Sequence, residues 1–355
     1  MVLDLGEAAA QGNMLKVRRL IAKGEIGVDD RADRNGFVCG EFDTEVILSA
    51  TALLRATQCN QSAHMIALLL RLGADPNAED AYMGRRAIGF AAWYCNVMSM
   101  RLLINKGASI DPVQGMDKET PLHQAALNGC YWCVRILLDN GAKIDAKTHK
   151  HYTALMLATQ RSHFNVTRLL LERGANMEAR NANGMTALIM AKYYPVAELL
   201  VEKGANVNAV PEDGFGPLIS AIYDRNIKLV KLYLANGANI ETRDRIYGRT
   251  PLIWAAARGQ SDIVKLLLDK GANIDATDEQ DNTALAEAEN RGYSDTAWLL
   301  LEKLADWRQR VAKKKAEHIH LHASAISIVK NWWLRWFFQL IFALILFPLV
   351  YGGIQ

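Results

Sequence analysis

Apolar and polar residues follow one pattern repeatedly along this chain, with a period of about 33 residues. One recurring phrase is an apolar run that ends in Gly-Ala and a short polar turn: "LLLRLGADPNA" (68–78), "ILLDNGAKIDA" (136–146), "LLLERGANMEA" (169–179), "LLVEKGANVNA" (199–209), "LYLANGANIET" (232–242) and "LLLDKGANIDA" (266–276). The other phrase is "TPLHQAALNG" (120–129), echoed by "TALMLATQRS", "TALIMAKYYP", "GPLISAIYDR", "TPLIWAAARG" and "TALAEAENRG". Apolar residues three and four apart share one face of a helix, so each unit predicts two short helices joined by a polar turn.

The unit that begins at Thr250 shows why these phrases predict helices. Thr250 fits the N-cap position, and Pro251 fits the first helical position, where its missing N–H costs nothing. Gly271 stands where the second helix has to end, and glycine tolerates the left-handed conformation needed there. Ala255 and Ala256 leave room for a neighbouring pair of helices. One pair cannot bury its apolar face alone, so we predict an all-α solenoid of stacked pairs.

Nine units of this kind occupy about residues 1–305. They start near Leu3, Thr51, Arg86, Thr120, Thr153, Thr186, Gly216, Thr250 and Thr283. Three units depart from the pattern. The connection from Gly24 to Thr51 is long and carries an acidic insertion at about 29–49. The unit from Thr186 has "KYYP" in place of the inter-helix turn, and the last unit has Leu304 in place of glycine, which predicts that its second helix runs on.

The period and the two phrases resemble the ankyrin repeat family. The resemblance covers about residues 1–305 and is specific because both phrases recur. It implies stacked helix-turn-helix repeats with β-hairpin loops, a function in binding a protein partner, and no enzymatic activity. Beyond the array, the sequence predicts a basic, histidine-containing helical linker at 306–330 and a transmembrane-type helix at 331–351.

The same resemblance predicts where a partner would bind. The concave face of an ankyrin array is built from the hairpin tips and from the two residues that follow the small Ala pair of the first helix. Aromatic and Arg side chains at exposed positions are the usual anchors of protein interfaces. The predicted partner-binding residues are Tyr82, Trp93, Tyr94, Asn128, Gln160, Arg161, Tyr193, Tyr194, Phe215, Tyr223, Tyr247 and Arg258. The alternative is that some of these rings fill gaps between units, notably Tyr193 beside the missing turn.

The C-terminal residues, "WWLRWFFQLIFALILFPLVYGGIQ", are far more apolar than the repeats. From 336 to 351 no residue is charged and eleven are Leu, Ile, Phe or Val, which favour insertion at a bilayer centre by about 3 to 7 kcal/mol. About 20 residues of helix span the hydrocarbon thickness of a bilayer. The pattern predicts a membrane anchor with interfacial side chains near its ends: Trp332, Trp333, Arg335, Trp336 and Tyr351.

Basic residues precede this apolar segment and none follows it, so the positive-inside rule predicts a single-pass membrane protein with its array on the cytoplasmic side. Two alternatives remain open. The segment fits a buried helix that caps the stack, which would leave the protein cytoplasmic, although a cap normally keeps a polar outer face. A re-entrant or interfacial segment also fits, because Pro348 can break the last turn.

Composition narrows the function further. Half of the 355 residues are apolar and 22% are charged, and the net charge of +3 is too small to predict a nucleic-acid partner. The five cysteines are odd in number and irregular in spacing, which argues against a disulfide framework and fits a reducing compartment. The N-terminus, "MVLDLGEAAAQG", lacks the apolar region of a signal peptide.

Two short motifs invite a chemical interpretation. Cys130 and Cys133 form a lone CxxC, but Cys133 falls on a buried helix face, so packing is favoured over redox or metal chemistry. The histidines of "HIHLH" (318–322) could bind a metal or titrate, although a solvated linker explains them as well. No nucleophile–base, phosphate-binding or HExxH signature is present. We therefore predict no cofactor, no metal and no small-molecule substrate.

These observations predict a non-enzymatic scaffold or adaptor that binds a protein partner on its concave ankyrin face and tethers it to a membrane. The alternative is a soluble ankyrin-type inhibitor or secreted effector that occludes a partner, with the apolar tail packed as a cap.

Overall fold

The computed structural model describes residues 2–23, 51–59, 63–80, 84–310 and 313. These residues form eighteen helices in nine consecutive pairs. In chain order the helices are α1 Val2–Ala10, α2 Met14–Ala22, α3 Ala52–Gln58, α4 Ala63–Arg71, α5 Ala87–Trp93, α6 Val97–Asn105, α7 Pro121–Leu127, α8 Tyr131–Asp139, α9 Ala154–Gln160, α10 Phe164–Glu172, α11 Ala187–Met190, α12 Tyr194–Glu202, α13 Pro217–Tyr223, α14 Ile227–Ala235, α15 Pro251–Ala256, α16 Ser261–Asp269, α17 Ala284–Asn290 and α18 294–310.

The pairs begin and end where the repeated residues predict. Thr250 caps α15, its hydroxyl oxygen accepting a hydrogen bond from the Ile253 N–H at 3.4 Å, and Pro251 is the first helical residue. Gly271 follows α16 with φ at +92°, in the left-handed region that stops a helix. Its N–H donates to the Leu268 carbonyl at 3.0 Å, which satisfies one of the last carbonyls of α16.

Stacking of the pairs produces two layers. The odd-numbered helices contact one another in sequence from α1 to α17, and the even-numbered helices do the same from α4 to α16. The apolar residues between the layers form one core that runs the length of the array. Ala255 and Ala256 are fully buried there, which confirms that small side chains allow adjacent pairs to approach.

The loops that precede the odd-numbered helices differ from the β-hairpins predicted. No strand forms among the described residues, and only three isolated antiparallel bridges occur, for example between Gln114 and Glu119. Backbone bonds within a loop close its turn, for example from the Asp244 N–H to the Arg249 carbonyl at 3.2 Å, and neighbouring loops also bond sideways, donating a backbone N–H to a carbonyl of the loop before at N···O distances of 2.7 to 3.2 Å. The donors are His149, Ala182, Glu212, Arg245 and Glu279. Each loop is therefore held by its neighbour, and a two-stranded ladder is not required.

The units that depart from the sequence pattern also differ in structure. Helix α11 has four residues where most odd-numbered helices have seven, so the unit from Thr186 lacks the end of its first helix. Helix α18 continues past Leu304 to residue 310. The acidic insertion at 29–49 and the segment 331–351, with Trp332, Trp333, Arg335, Trp336 and Tyr351, lie outside the described residues. Within the ranges that the structure describes, no helix has the length and apolar character needed to cross a membrane.

The cysteines show one clear difference from expectation. A disulfide joins Cys95 and Cys130, which lie in or beside the inter-helix turns of two adjacent units. The expectation of no disulfides is therefore wrong for this pair, and Cys130 does not act with Cys133 as a CxxC couple. Cys133 is a free, fully buried thiol, and burial raises its pKa to about 11, so it packs as an apolar residue.

Candidate protein-binding groove

The groove is defined here as the surface formed by the odd-numbered helices and the loops that precede them. Of the predicted partner-binding aromatic residues, Trp93, Tyr193, Tyr223 and Tyr247 are exposed, with fractions of 37%, 51%, 45% and 41%. Exposed Trp and Tyr side chains are enriched at protein interfaces, so these four rings are candidate contact sites. Tyr82 lies outside the described residues.

The other predicted residues are less uniform. Tyr94, Tyr194 and Phe215 are half-buried and pack against the core, so each supports the fold as well as facing the groove. The Tyr194 hydroxyl donates to the Glu198 carboxylate at 2.8 Å, a bond that raises the pKa of Tyr194. Asn128 is half-buried, while Gln160 and Arg161 are exposed at the end of α9.

Three predicted residues meet around one that was not predicted, and together they form the aromatic cluster: Phe215, Tyr223, Tyr247 and Trp254. The Trp254 ring lies at the centre, with centroid distances of 5.2 Å to Phe215, 6.0 Å to Tyr223 and 6.3 Å to Tyr247. All three contacts are edge-to-face, the geometry that aromatic quadrupoles favour. Trp254 itself is 7% exposed, so it supports the two tyrosines from beneath.

Two arginines pack against the rings of the aromatic cluster. The Arg258 guanidinium carbon lies 4.1 Å from the Tyr223 ring centroid, a close cation–π contact. The Arg249 guanidinium carbon lies 4.8 Å from the Tyr247 centroid and 5.4 Å from that of Trp254. Arg249 is buried, whereas Arg258 is half-buried and keeps part of its surface open to the groove.

Buried carboxylates hold these groups in place. Arg249 Nη2 lies 2.6 Å from Glu287 Oε1, and Arg249 Nε lies 3.3 Å from Asp278 Oδ2. Burial alone would raise the pKa of Asp278. Hydrogen bonds from the backbone of Asn282 and Gln280 and the charge of Arg249 outweigh burial and lower it, so this carboxylate stays ionised. The Arg249 guanidinium therefore has charged partners beneath the rings.

Asp244 organises the loop that carries Tyr247. One of its oxygens accepts from the backbone N–H groups of Ile246 and Tyr247, at 2.8 and 2.7 Å. The other accepts from the Arg249 backbone N–H at 2.9 Å and from Trp254 Nε1 at 2.8 Å. One carboxylate thus joins the loop to α15 and fixes two rings of the aromatic cluster relative to each other.

Trp254, Arg249 and Asp244 were missed by the sequence interpretation, which considered only the loop tips and the two residues after the Ala pair. The residue just before that pair also faces the groove floor. The sequence carried a signal for it, because this buried position holds polar, charged or aromatic residues in several units: Arg55, Phe90, Gln124, Trp254 and Glu287.

A second region lies nearer the N-terminus of the array. There a cleft of about 150 Å³ opens between the loop 114–119 and helix α5. Trp93 is the only predicted partner-binding residue among the described residues that line it. The lining also includes Arg85, Phe90, Gln114, Met116, Glu119 and Gln124. We call this region the amide cleft, after the two glutamines.

Comparison with known proteins agrees with this architecture. A model of the ankyrin repeat family, which spans three copies of the repeat, matches residues 53–148, 144–211 and 218–310. The chain belongs to the ankyrin repeat family. Membership implies a role in protein–protein interaction, and ankyrin repeats are generally non-enzymatic.

Ankyrin-like segments of otherwise different proteins are similar to this chain. The E3 ubiquitin-protein ligase KEG of Arabidopsis thaliana is 32% identical over 111 residues, 31% of this chain and 7% of that protein. The tyrosine-protein kinase HTK16 of Hydra vulgaris is 32% identical over 123 residues, 34% of this chain and 16% of the kinase. The putative ankyrin repeat protein FPV216 of fowlpox virus (strain NVSL) is 32% identical over 107 residues, 29% of this chain and 36% of that protein. The chain thus aligns with only a minor part of each relative.

Proposed function

We propose that this protein binds a partner protein in the groove, with the aromatic cluster as the principal anchor, and holds that partner at a membrane through segment 331–351. The observation that carries the first half is the cluster itself. Four rings and two arginines converge on one part of the groove, and two of the rings stay more than 40% exposed. The fold does not need aromatic residues at these positions, since several other units have small or polar side chains there.

The cluster has the properties of an interface anchor. Tyr223 and Tyr247 are already immobilised by Trp254 and by the Asp244 loop, so a partner that binds them loses little further side-chain entropy. Tyrosine also combines a large apolar surface with a hydroxyl that can bond at the rim. Pre-ordered rings of this kind are typical of binding hot spots.

Charge suggests what the partner presents. Arg258 lies over Tyr223, and its Nε has no hydrogen-bond partner among the described residues. Arg161 is exposed on the same layer of helices. A guanidinium group matches a carboxylate in geometry and charge, so we expect an acidic segment of the partner to run across the aromatic cluster.

The test begins with proximity labelling by the full chain in cells, to identify a partner, followed by affinity measurements with purified variants. Tyr223→Ala and Tyr247→Ala should each weaken binding by at least about 2 kcal/mol, close to 30-fold. Trp132→Ala is the matched control, because this ring is 55% exposed but lies on α8 in the other layer. Its loss should leave affinity unchanged.

Thermal melting of the same variants separates recognition from packing. A partner affinity that is unchanged in Tyr223→Ala and Tyr247→Ala, together with a lowered melting temperature, would show that the rings are structural and that the partner docks elsewhere. A lost affinity with a small change in melting supports the groove.

The membrane half of the proposal rests on sequence alone. The segment 331–351 is apolar, with aromatic residues near both ends, and lysines precede it, which favours insertion with the array on the cytoplasmic side. Residues 330–355 fused to a soluble reporter should move it to membranes and resist carbonate extraction. Leu344→Lys should weaken insertion by about 3 kcal/mol. A reporter that stays soluble would favour the alternative of a soluble inhibitor or effector with a packed cap.

A further inference from the structure

Two buried glutamines line the amide cleft, and each leaves one polar atom without a partner. Gln114 is 3% exposed and Gln124 is 9% exposed. Gln114 Oε1 accepts from the Arg86 backbone N–H at 3.2 Å, but Gln114 Nε2 has no acceptor. Burial raises the pKa of Glu119 and the Gln124 side chain beside it offsets part of that rise, while Gln124 Oε1 has no donor. One unpaired donor and one unpaired acceptor, both buried, therefore belong to side chains that line the same cleft.

The backbone brings these two atoms close together. Both lie 2.8 Å from the point that a Cβ of Gly89 would occupy. In other units this helix position carries a side chain, such as His123 in α7 or Ile253 in α15, so glycine here leaves the space that the two carboxamides use. The terminal torsion of glutamine is broad, so a small rotation turns either unpaired atom toward the opening.

We propose that the amide cleft binds a primary carboxamide, such as the side chain of an Asn or Gln residue of the partner protein. A carboxamide is planar and carries one C=O group and one NH₂ group. Its oxygen accepts from Gln114 Nε2 and its nitrogen donates to Gln124 Oε1, which satisfies both free atoms at once. The inference rests on the proposed function only in that the ligand belongs to a protein bound in the groove.

Charged and apolar side chains fit less well. A carboxylate cannot donate to Gln124 Oε1 and would face Glu119, with Asp117 at the rim. An ammonium group cannot accept from Gln114 Nε2 and would face the Arg85 guanidinium, which lies over the Phe90 ring at 6.0 Å. An apolar group would leave both amides unpaired. A site built to hydrogen-bond its ligand rejects analogues that lack the matching group.

The side chains that flank the cleft also favour a carboxamide ligand. Trp93 is 37% exposed and flanks the cleft, and Met116 is 78% exposed on the loop beside it. A flexible methionine and a flat indole can close over a bound planar group and exclude water. Hydrogen bonds inside such an enclosure are stronger than in open solvent, and unpaired groups there are more costly.

The experiment uses the full chain in detergent, with glutamine side-chain amides labelled with ¹⁵N. N-acetyl-L-glutamine N-methylamide is titrated against it, with the corresponding glutamate and methionine derivatives as matched ligands. We expect saturable shifts of the Gln114 and Gln124 amide signals with the glutamine compound, at concentrations about tenfold lower than with either analogue. Equal binding of all three compounds, or no saturable shift of these two signals, overturns the proposal.

Variants assign the effect to the cleft. Gln124→Met removes the free acceptor and should abolish selectivity for the glutamine compound, and Gln114→Glu, which keeps an acceptor for the Arg86 N–H, should do the same. Gln309→Met alters an exposed glutamine on α18, in the other layer of helices, and should change nothing. Binding that survives both cleft variants contradicts the inference. If Tyr223→Ala abolishes partner binding while the cleft variants do not, the proposed function stands and the carboxamide inference fails.

Discussion

The amide cleft and the aromatic cluster occupy equivalent positions in different units, yet their buried polar groups are arranged in opposite ways. In the aromatic cluster, Trp254 bonds to Asp244 and Arg249 pairs with two carboxylates. In the amide cleft, Gln114 and Gln124 each leave one atom unpaired. Beneath its rings the first region is already paired before a ligand arrives, with only Arg258 Nε left open among the groups described above, whereas the second reserves both a donor and an acceptor for a ligand. Rigid rings supply contact area, and unpaired amides supply selectivity.

The difference resides in side chains, because the backbone frame is the same. Glu119 and Gln124 stand, relative to the start of α7, where Arg249 and Trp254 stand relative to α15. Both helices begin with proline after a threonine cap. In a repeat array each unit depends mainly on its neighbours, so a groove position can change its chemistry without altering the solenoid. Four predictions test how far the chemistry of the groove is independent of the stability of the solenoid.

The largest effect is expected from Arg249→Met. The change leaves the buried carboxylates of Asp278 and Glu287 without their guanidinium partner, and breaking a buried pair in this way costs about 3–5 kcal/mol. Chemical denaturation would measure the loss. The control is Arg291→Met, because Arg291 pairs with the other oxygen of Glu287 at 2.8 Å but is half exposed, so its loss should cost at most about 1 kcal/mol. Equal losses in the two variants would show that the cluster does not depend on its buried charges.

Lowering the pH should destabilise the fold near the amide cleft, because His123 of α7 becomes protonated. Burial lowers the pKa of His123, and its Nε2 lies 2.9 Å from the Ala146 oxygen while its Nδ1 lies 3.1 Å from the Thr120 nitrogen. Nε2 must then carry the proton and Nδ1 must accept. The folded state therefore binds a proton less readily than the unfolded chain, so stability should fall as pH decreases below about 6.5.

The variant that isolates this histidine is His123→Gln. Glutamine can complete the same capping box with Thr120 but does not titrate. Melting temperatures measured from pH 7.5 to 5 should decline less steeply in the variant than in the wild type. If the two profiles are parallel, the pH dependence comes from other histidines. The unit of α7 would then be no more sensitive to pH than the unit of α15, which has Ile253 at the position of His123.

A smaller loss of stability, equal at both sites, is expected at the glycines that follow α8 and α16, the second helices of the two units. Gly141 and Gly271 have φ values of +84° and +92°, and a Cβ at either would contact nothing within 4 Å. Gly141→Ala and Gly271→Ala should therefore each cost about 1 kcal/mol, purely from backbone strain. Denaturation curves that differ by more than about 1 kcal/mol would show that the two frames are not equivalent.

The sequence predicted the parts of this structure that depend on local spacing. The repeat period, the Thr250 cap and the left-handed Gly271 all follow from residues within one unit, and the structure confirms them. The predicted β-hairpins form no strands among the described residues: backbone bonds such as that from the Asp244 N–H to the Arg249 carbonyl close the turns, and the loops of neighbouring units bond to each other. That bonding depends on how units stack, which no single unit reveals.

Contacts between units explain the other omissions. Trp254 meets Phe215 and Tyr223 of the preceding unit, and Arg249 meets Glu287 of the following one, at a separation of 38 residues. Cys95 and Cys130 are 35 residues apart, close to one repeat, which was the signal that they occupy neighbouring turns. The role of the predicted groove residues remains a prediction, and the anchor at 331–351 lies outside the described residues.

The smallest expected effect on stability is that of Gln124→Met, and it separates the two regions most sharply. Methionine is close in length to glutamine and removes the unpaired Oε1, whose burial without a partner costs about 1–3 kcal/mol. It also removes the polar interaction of the Gln124 side chain with the Glu119 carboxylate, which contributes about 1 kcal/mol or somewhat more. The two terms nearly offset, so we expect a change within about 1 kcal/mol, with a gain if the unpaired oxygen dominates. Trp254→Met, at the equivalent position of the aromatic cluster, should lose several times as much, because it removes a packed ring and the bond to Asp244. A loss above about 2 kcal/mol in Gln124→Met would mean that the amide is already satisfied in the free protein. The cleft would then be as complete as the cluster, and it would hold no reserve for a ligand.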